Sequence, residues 1–154
     1  MSQQSSNIIF EKFNAEKWKV GIVVAGFNKD ITDELLKSAK ACCKDYKIPE
    51  KNITVHYVAG CVEIPLILKK LAETKRYKTL VALGTIIRGD TAHFEYVAKA
   101  VTEGVMRVQL DSGVPVGFGV LTLENKKQAQ VRLKSGYGAT EAALQSAKII
   151  ESIK

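Results

Sequence analysis

Two kinds of apolar segment alternate along this chain: short runs dense in β-branched residues, and longer stretches with an apolar residue every three or four positions. The first kind reads as strands buried on both faces, the second as helices with one apolar side. Strands are predicted over 18–25 (WKVGIVVA), 53–58, 79–87 (TLVALGTII) and 114–121 (VPVGFGVL). A helix is predicted from Asp30 to Tyr46, where Ile31, Leu35, Leu36, Ala39, Cys42 and Cys43 recur at helical spacing and Asn28 or Asp30 can cap the start. A second begins at Glu63, with Pro65 in its first turn, where a missing N–H costs little. A third runs from Gly89 to about Leu110. A fourth is predicted over 124–133 and a fifth over 139–153, with the glycines of GYG (136–138) interrupting between them. At the start, 1–7 is polar and is expected to be disordered, while Ile8 to Phe13 alternates weakly, as a short edge strand would.

Strands alternating with helices imply right-handed parallel crossovers. The fold class is therefore α/β, a three-layer α/β/α sandwich with helices on both faces of a four-stranded parallel sheet, for which we choose the flavodoxin-like order 2-1-3-4. At 154 residues the chain suits one domain, 1–154, with 1–13 an arm that is partly disordered or pairs with a neighbouring subunit.

Ligands of such sheets bind at the carboxyl ends of the strands. There LGTIIRGDTAHFEYV (83–97) joins an apolar strand to a glycine-bounded turn and a helix start. Gly84 and Gly89 permit close backbone approach, and the amides of Gly89, Asp90 and Thr91 would face an anion at the positive end of the helix dipole. Phosphate is the natural guest. His93, in the first turn, is able to give and take protons near neutrality, although a histidine at a helix start is most often a capping or surface residue. Glu63, at the neighbouring helix start, suits either dipole complementation or substrate contact. Phe118 stands between Gly117 and Gly119, so little shields its ring. For His56, within a strand, packing or an interface is the ordinary role.

Composition narrows the chemistry. With 46% hydrophobic and 25% charged residues and no signal-like or membrane-spanning segment, the chain reads as cytoplasmic. A net charge of +7 comes from 23 basic residues scattered among 16 acidic ones, without a nucleic-acid motif. Cys42, Cys43 and Cys61 are odd in number and suit neither a disulfide framework nor a zinc site, and two histidines far apart offer no metal cluster. A Walker loop, a dinucleotide fingerprint and a nucleophile elbow are all missing.

Five segments resemble the 6,7-dimethyl-8-ribityllumazine synthases: AGFN (25–28), VAGCVEIP (58–65), GTIIRGDTAHFEYV (84–97), PVGFGVLTLENKKQAQVR (115–132) and TEAALQSAK (140–148). The resemblance implies condensation of 5-amino-6-(D-ribitylamino)uracil with 3,4-dihydroxy-2-butanone 4-phosphate, releasing phosphate and water, in riboflavin biosynthesis, with no cofactor and no metal. It implies that Phe27 stacks on the pyrimidine and that Cys61, Val62, Glu63 and Thr85, Ile86 and Ile87 hold the ring and ribityl chain. Gly89, Asp90 and Thr91 would take phosphate, and His93 would carry protons. Phe118 and Arg132 would come from an adjacent subunit, Arg132 gripping phosphate with its planar fork. The family's unit is a homopentamer, stacked by some members into a capsid of twelve pentamers. After Arg132 this chain runs LKSGYGATEA, a shorter link than the family's, with Tyr137 near the place of a family lysine beside phosphate and Lys134 as its substitute. Two alternatives share the fold: an archaeal-type riboflavin synthase, and a non-catalytic flavin- or lumazine-binding shell protein. Neither involves nucleic acid or membrane.

Overall fold

A computed structural model of the chain describes residues 8–153. Four parallel strands, β1 (Val20–Ala25), β2 (Ile53–Val58), β3 (Thr79–Ile87) and β4 (Val116–Leu123), form one sheet in the order β2-β1-β3-β4. The register pairs Ala25 with Val58, Val24 with Leu83 and Ile87 with Leu123, so all four carboxyl ends lie along one edge. Four α-helices cover the faces: α1 (Lys29–Asp45), α2 (Ile64–Glu73), α3 (His93–Ser112) and α4 (Ser135–Ile153).

Side chains alternate across a strand, and here the alternation divides the core in two. Val20, Ile22, Val24, Val81 and Leu83 meet α1 and α4 through Leu35, Ala39, Cys42, Cys43 and Leu144. Val23, Ala25, Leu80, Ala82 and Ile86 meet α2 and α3 through Ile64, Leu68, Val101 and Val105. The sheet is thus the middle of three layers, as the patterning implies. Helix α3 stops at Gly113, whose φ of 74° is the left-handed turn that glycine supplies cheaply.

Local expectations fail at four places. Ile8 to Phe13 forms no strand within the chain; Phe13 instead turns inward, edge-on to Trp18 and Tyr46, and Gln145 Nε2 donates to the Glu11 carbonyl. The segment 1–7 lies outside the described residues. Gly89 to Ala92 is a loop, and α3 begins only at His93. The stretch 124–133 holds a short 3-10 turn, Lys126–Ala129, rather than a helix, which makes four α-helices and not five among the described residues.

The fourth miss is α4, which runs through GYG without interruption. Its cause is tertiary: a Cβ on Gly136 would lie 2.1 Å from the Leu35 carbonyl oxygen and 2.6 Å from Ser38 Oγ. The glycine lets α4 lie backbone to backbone on α1, and packing overrides its low helix propensity. Ser38 Oγ completes the join by accepting from Tyr137 N at 3.1 Å and lying 2.9 Å from the Leu35 carbonyl and 3.2 Å from that of Leu133.

Candidate active site

The strand ends gather most of the sequence-predicted residues on one edge. After β1 the chain turns through Gly26 and Phe27 to Asn28, whose φ of 59° is left-handed, a conformation asparagine tolerates better than most. Asn28 precedes α1 without capping it through its side chain; Nδ2 donates instead to the Thr85 carbonyl at 3.3 Å, tying the β1 turn to β3. Phe27 is 69% exposed, and its ring edge lies so near Gly60 that a Cβ there would sit 3.1 Å from it. An aromatic face is therefore displayed at the mouth of the edge, backed by the turn after β2.

That turn, Cys61–Glu63, is a single 3-10 turn leading into α2. Glu63 Oε2 accepts from Gly60 N at 3.0 Å, a capping contact, so the carboxylate does hold the helix start. Val62 is half exposed beside it, at 50%. The Cys61 thiol points inward: it is 6% exposed, packs where a Gly84 side chain would lie, and burial, with the Glu63 charge adding, pushes it up to about 11. Any contact of Cys61 with a ligand therefore falls to its main chain. Thr85 is likewise buried, and its hydroxyl has no hydrogen-bond partner among the described residues.

Beyond Ile87 the loop 88–92 stands exposed in front of α3. Ala92 offers the helix no side-chain cap; Thr91 Oγ1 accepts from His93 N at 3.3 Å in its place. Gly89, Asp90, Thr91 and His93 are exposed together, with main-chain amides and an imidazole on the same edge as Phe27 and Glu63. Arg88, which sequence reasoning passed over, spans this loop: Nε donates to Glu124 Oε2 at 2.8 Å and Nη1 donates to Glu95 Oε1. A basic residue at a strand end with acids on the following helix and strand was the available signal.

Two predicted residues stay apart from this group. Phe118, 41% exposed, pairs in register with Ala82, near the amino end of β4 rather than at its carboxyl end. At about 3.3 Å per residue it lies about 16 Å from the edge where β4 finishes. Arg132 sits in the link before α4, where Nη1 donates to the Gln128 carbonyl at 2.7 Å, and no ion pair joins it to the loop 88–92 among the described residues. Tyr137 is not near an anion site; its hydroxyl donates to Asp45 Oδ2 at 2.7 Å, bracing α4 on α1. Among the described residues no cluster of His, Cys, Asp and Glu could hold a metal, and no helix is long and apolar enough to cross a membrane.

The edge thus carries an exposed aromatic ring, main-chain amides and an imidazole together, and comparison with known proteins gives the family. The family model of 6,7-dimethyl-8-ribityllumazine synthase matches residues 17–151. The chain belongs to that family. Curated relatives named 6,7-dimethyl-8-ribityllumazine synthase include one from Thermococcus kodakarensis, 42% identical over 151 residues that cover 96% of each chain. Another, from Clostridium kluyveri, is 42% identical over 148 residues, covering 93% of this chain and 96% of the relative. As a lumazine synthase the chain is a transferase of riboflavin biosynthesis acting on small molecules. Every element of the edge, from Phe27 to His93, falls within the span that the lumazine synthase model matches, as do Phe118 and Arg132.

Proposed function

We propose that the chain joins 5-amino-6-(D-ribitylamino)uracil to 3,4-dihydroxy-2-butanone 4-phosphate at this edge, and that a second copy completes each pocket. The single observation that carries the reading is the convergence of Phe27, Glu63, the 89–91 amides and His93 on one edge, within a chain of this family. Phe27 stacks on the pyrimidine, and Val62, Glu63 and the peptides of Cys61 and 85–87 hold the ring and the ribityl hydroxyls. The amides of Gly89, Asp90 and Thr91 receive the phosphate, as main-chain donors ahead of a helix do.

The reaction needs an amine to add to a carbonyl with loss of water, phosphate to leave, and a second amine to close the ring with loss of water. Each step moves a proton, and His93 is the exposed group on the edge suited to move it. General acid–base catalysis supplies about a hundredfold to ten-thousandfold, and holding two reactants together supplies much of the rest.

Phe118 and Arg132 act in the neighbouring copy's pocket. Phe118 lies too far down β4 to serve its own edge, and Arg132 is the cation best shaped for a phosphate dianion. The working unit is therefore a homo-oligomer, a pentamer or a capsid of pentamers, built from one lumazine synthase-like domain per chain and acting in the cytoplasm. The exposed Ile8 and Ile9 belong to an N-terminal arm that pairs with a neighbour.

Incubating the protein with both substrates should yield the lumazine by its absorbance. No product would sink the reading, and riboflavin formed from lumazine alone would assign it to the riboflavin synthases. Native mass measurement should return a multiple of five chains; an active monomer would remove the shared pocket.

A further inference from the structure

We propose that Arg88 is a positioning residue for the reaction, a clamp that sets the 89–92 loop and the first turn of α3 so that amides and imidazole face one ligand together. The inference rests on the proposed roles of that loop and His93.

The need for a clamp is visible in the local structure. The loop 88–92 is exposed throughout, Ala92 supplies no side-chain cap, and His93, Glu95 and Tyr96 of the first helical turn are exposed as well. Phe94 is only partly buried against the core, and the first fully buried side chain of α3 is Val101, two turns on. Left to itself, such a helix end frays.

Arg88 ties it to three places at once. Its backbone N–H donates to the Leu123 carbonyl at 2.8 Å, continuing the β3 and β4 pairing one residue past the strand. Its guanidinium donates through Nε to Glu124, just beyond β4, and through Nη1 to Glu95, in the first turn of α3. Its Cζ lies 4.5 Å from the centre of the Phe94 ring, so the cation also covers the neighbour of His93. One planar group thus links the end of β3, the end of β4 and the start of α3. Lysine, a point donor on a flexible stem, cannot make these contacts together.

The same contacts exclude a simpler role. With two carboxylates on it, the Arg88 guanidinium is neutralised and is not itself the phosphate site. Exposed ion pairs contribute little to global stability. The effect of the clamp should therefore appear in catalysis more than in unfolding.

The test uses the full-length protein and both substrates, comparing the parent with Arg88→Met, Arg88→Lys, Glu95→Gln and Glu124→Gln. Arg88→Met should lower kcat by about tenfold or more, since small misplacements of reacting groups are costly. It should raise the KM for the butanone phosphate and leave the KM for the pyrimidine, held by other elements, unchanged. Arg88→Lys should recover only part of the loss. Glu95→Gln and Glu124→Gln, which keep Arg88, should shift the same two parameters in the same direction. They answer the question even if Arg88→Met does not fold. Parent-like kcat and KM in the variants would overturn the clamp, as would equal increases in both KM values or a loss that tracks thermal stability alone. An inactive parent would instead strike at the proposed function, so the two failures are separable.

Discussion

Two glycines two residues apart in α4, and so on nearly opposite faces of it, make opposite forecasts from the same substitution. At Gly136 an added methyl would sit 2.1 Å from the Leu35 carbonyl oxygen, where carbon and oxygen in contact need about 3.3 Å. The obstacle is backbone, so nothing can rotate aside, and α4 must withdraw from α1 by about 1 Å. Overpacking of this kind costs about 1–3 kcal/mol. Ser38 Oγ, 2.6 Å from the methyl, would also lose part of its bonding to Leu35, Leu133 and Tyr137, worth about 1 kcal/mol. Alanine's better helix propensity returns about 1 kcal/mol. The net expectation for Gly136→Ala is a loss of about 2 kcal/mol, or about 4–8 °C in Tm for a chain of this size. At Gly138 a Cβ meets nothing within 4 Å, so only the propensity gain remains and Gly138→Ala should stabilise by up to about 1 kcal/mol. Urea unfolding at fixed protein concentration, monitored by circular dichroism, compares the two. Arg132 lies just ahead of Gly136, so a displaced α4 should also reduce lumazine formation in Gly136→Ala, by about a hundredfold if the shift reaches 1 Å. Equal stabilities for the two variants would refute the steric account, and native activity in a destabilised Gly136→Ala would refute the link to Arg132.

Three further outcomes follow from the site and the core. Arg132→Ala should weaken orthophosphate binding about thirtyfold, because charge-assisted hydrogen bonds are worth about 2 kcal/mol, while His93→Ala should cut kcat and leave that affinity within about threefold. Calorimetric titration showing equal affinities would contradict these roles. Hydrogen bonds from Arg88 and Lys126 hold the Glu95 and Asp30 carboxyls below their ordinary values of 4.5 and 3.8. A depressed folded value means support that is complete above the unfolded value and lost as pH falls through the folded one. Urea midpoints should thus show a full and pH-independent contribution from these pairs between about pH 8 and pH 5, and a decline below about pH 4 that Glu95→Gln lessens. A Glu95-dependent decline near neutrality would show the sign to be wrong. Burial pushes the Cys61 thiol up to about 11 and Cys43 to about 12, and raises Cys42 further. Native protein at about pH 8 should therefore resist thiol-labelling reagents until denatured, and prompt labelling would show that the core opens readily.

How much of this could be read from the sequence follows the range of the forces involved. β1 and β3 announce themselves because residues such as Val23, Val24, Val81 and Ala82 must be apolar on both sides of the sheet. The crossover rule then makes the sheet parallel without any knowledge of side-chain contacts, and the flavodoxin-like choice among parallel orders matches the observed one. The glycine-edged strand ends, from Phe27 to His93, follow from that topology. What escaped was set at a distance in sequence. Gly136 and Gly138 look like a break until Leu35 is placed against the first of them. Asn28 looks like a cap until Thr85 is seen to accept from it. Tyr137 stands where a site residue was expected but reaches Asp45 instead. Arg88 had no visible role because Glu124 and Glu95 come near it only once Ile87 pairs with Leu123 and α3 turns back.

The order of strands also governs how the chain must come together in time. β1 lies between β2 and β3, yet β3 begins only at Thr79, after α2 is complete. During synthesis the emerging polypeptide therefore presents one long side of β1, apolar and unpaired, for as long as the next segment takes to leave the ribosome. Non-local parallel pairings form slowly, and an open strand of this kind invites the wrong companion. A fragment ending at Glu73 should aggregate where the whole chain refolds, and a soluble fragment would show that β1 finds shelter before its partner arrives.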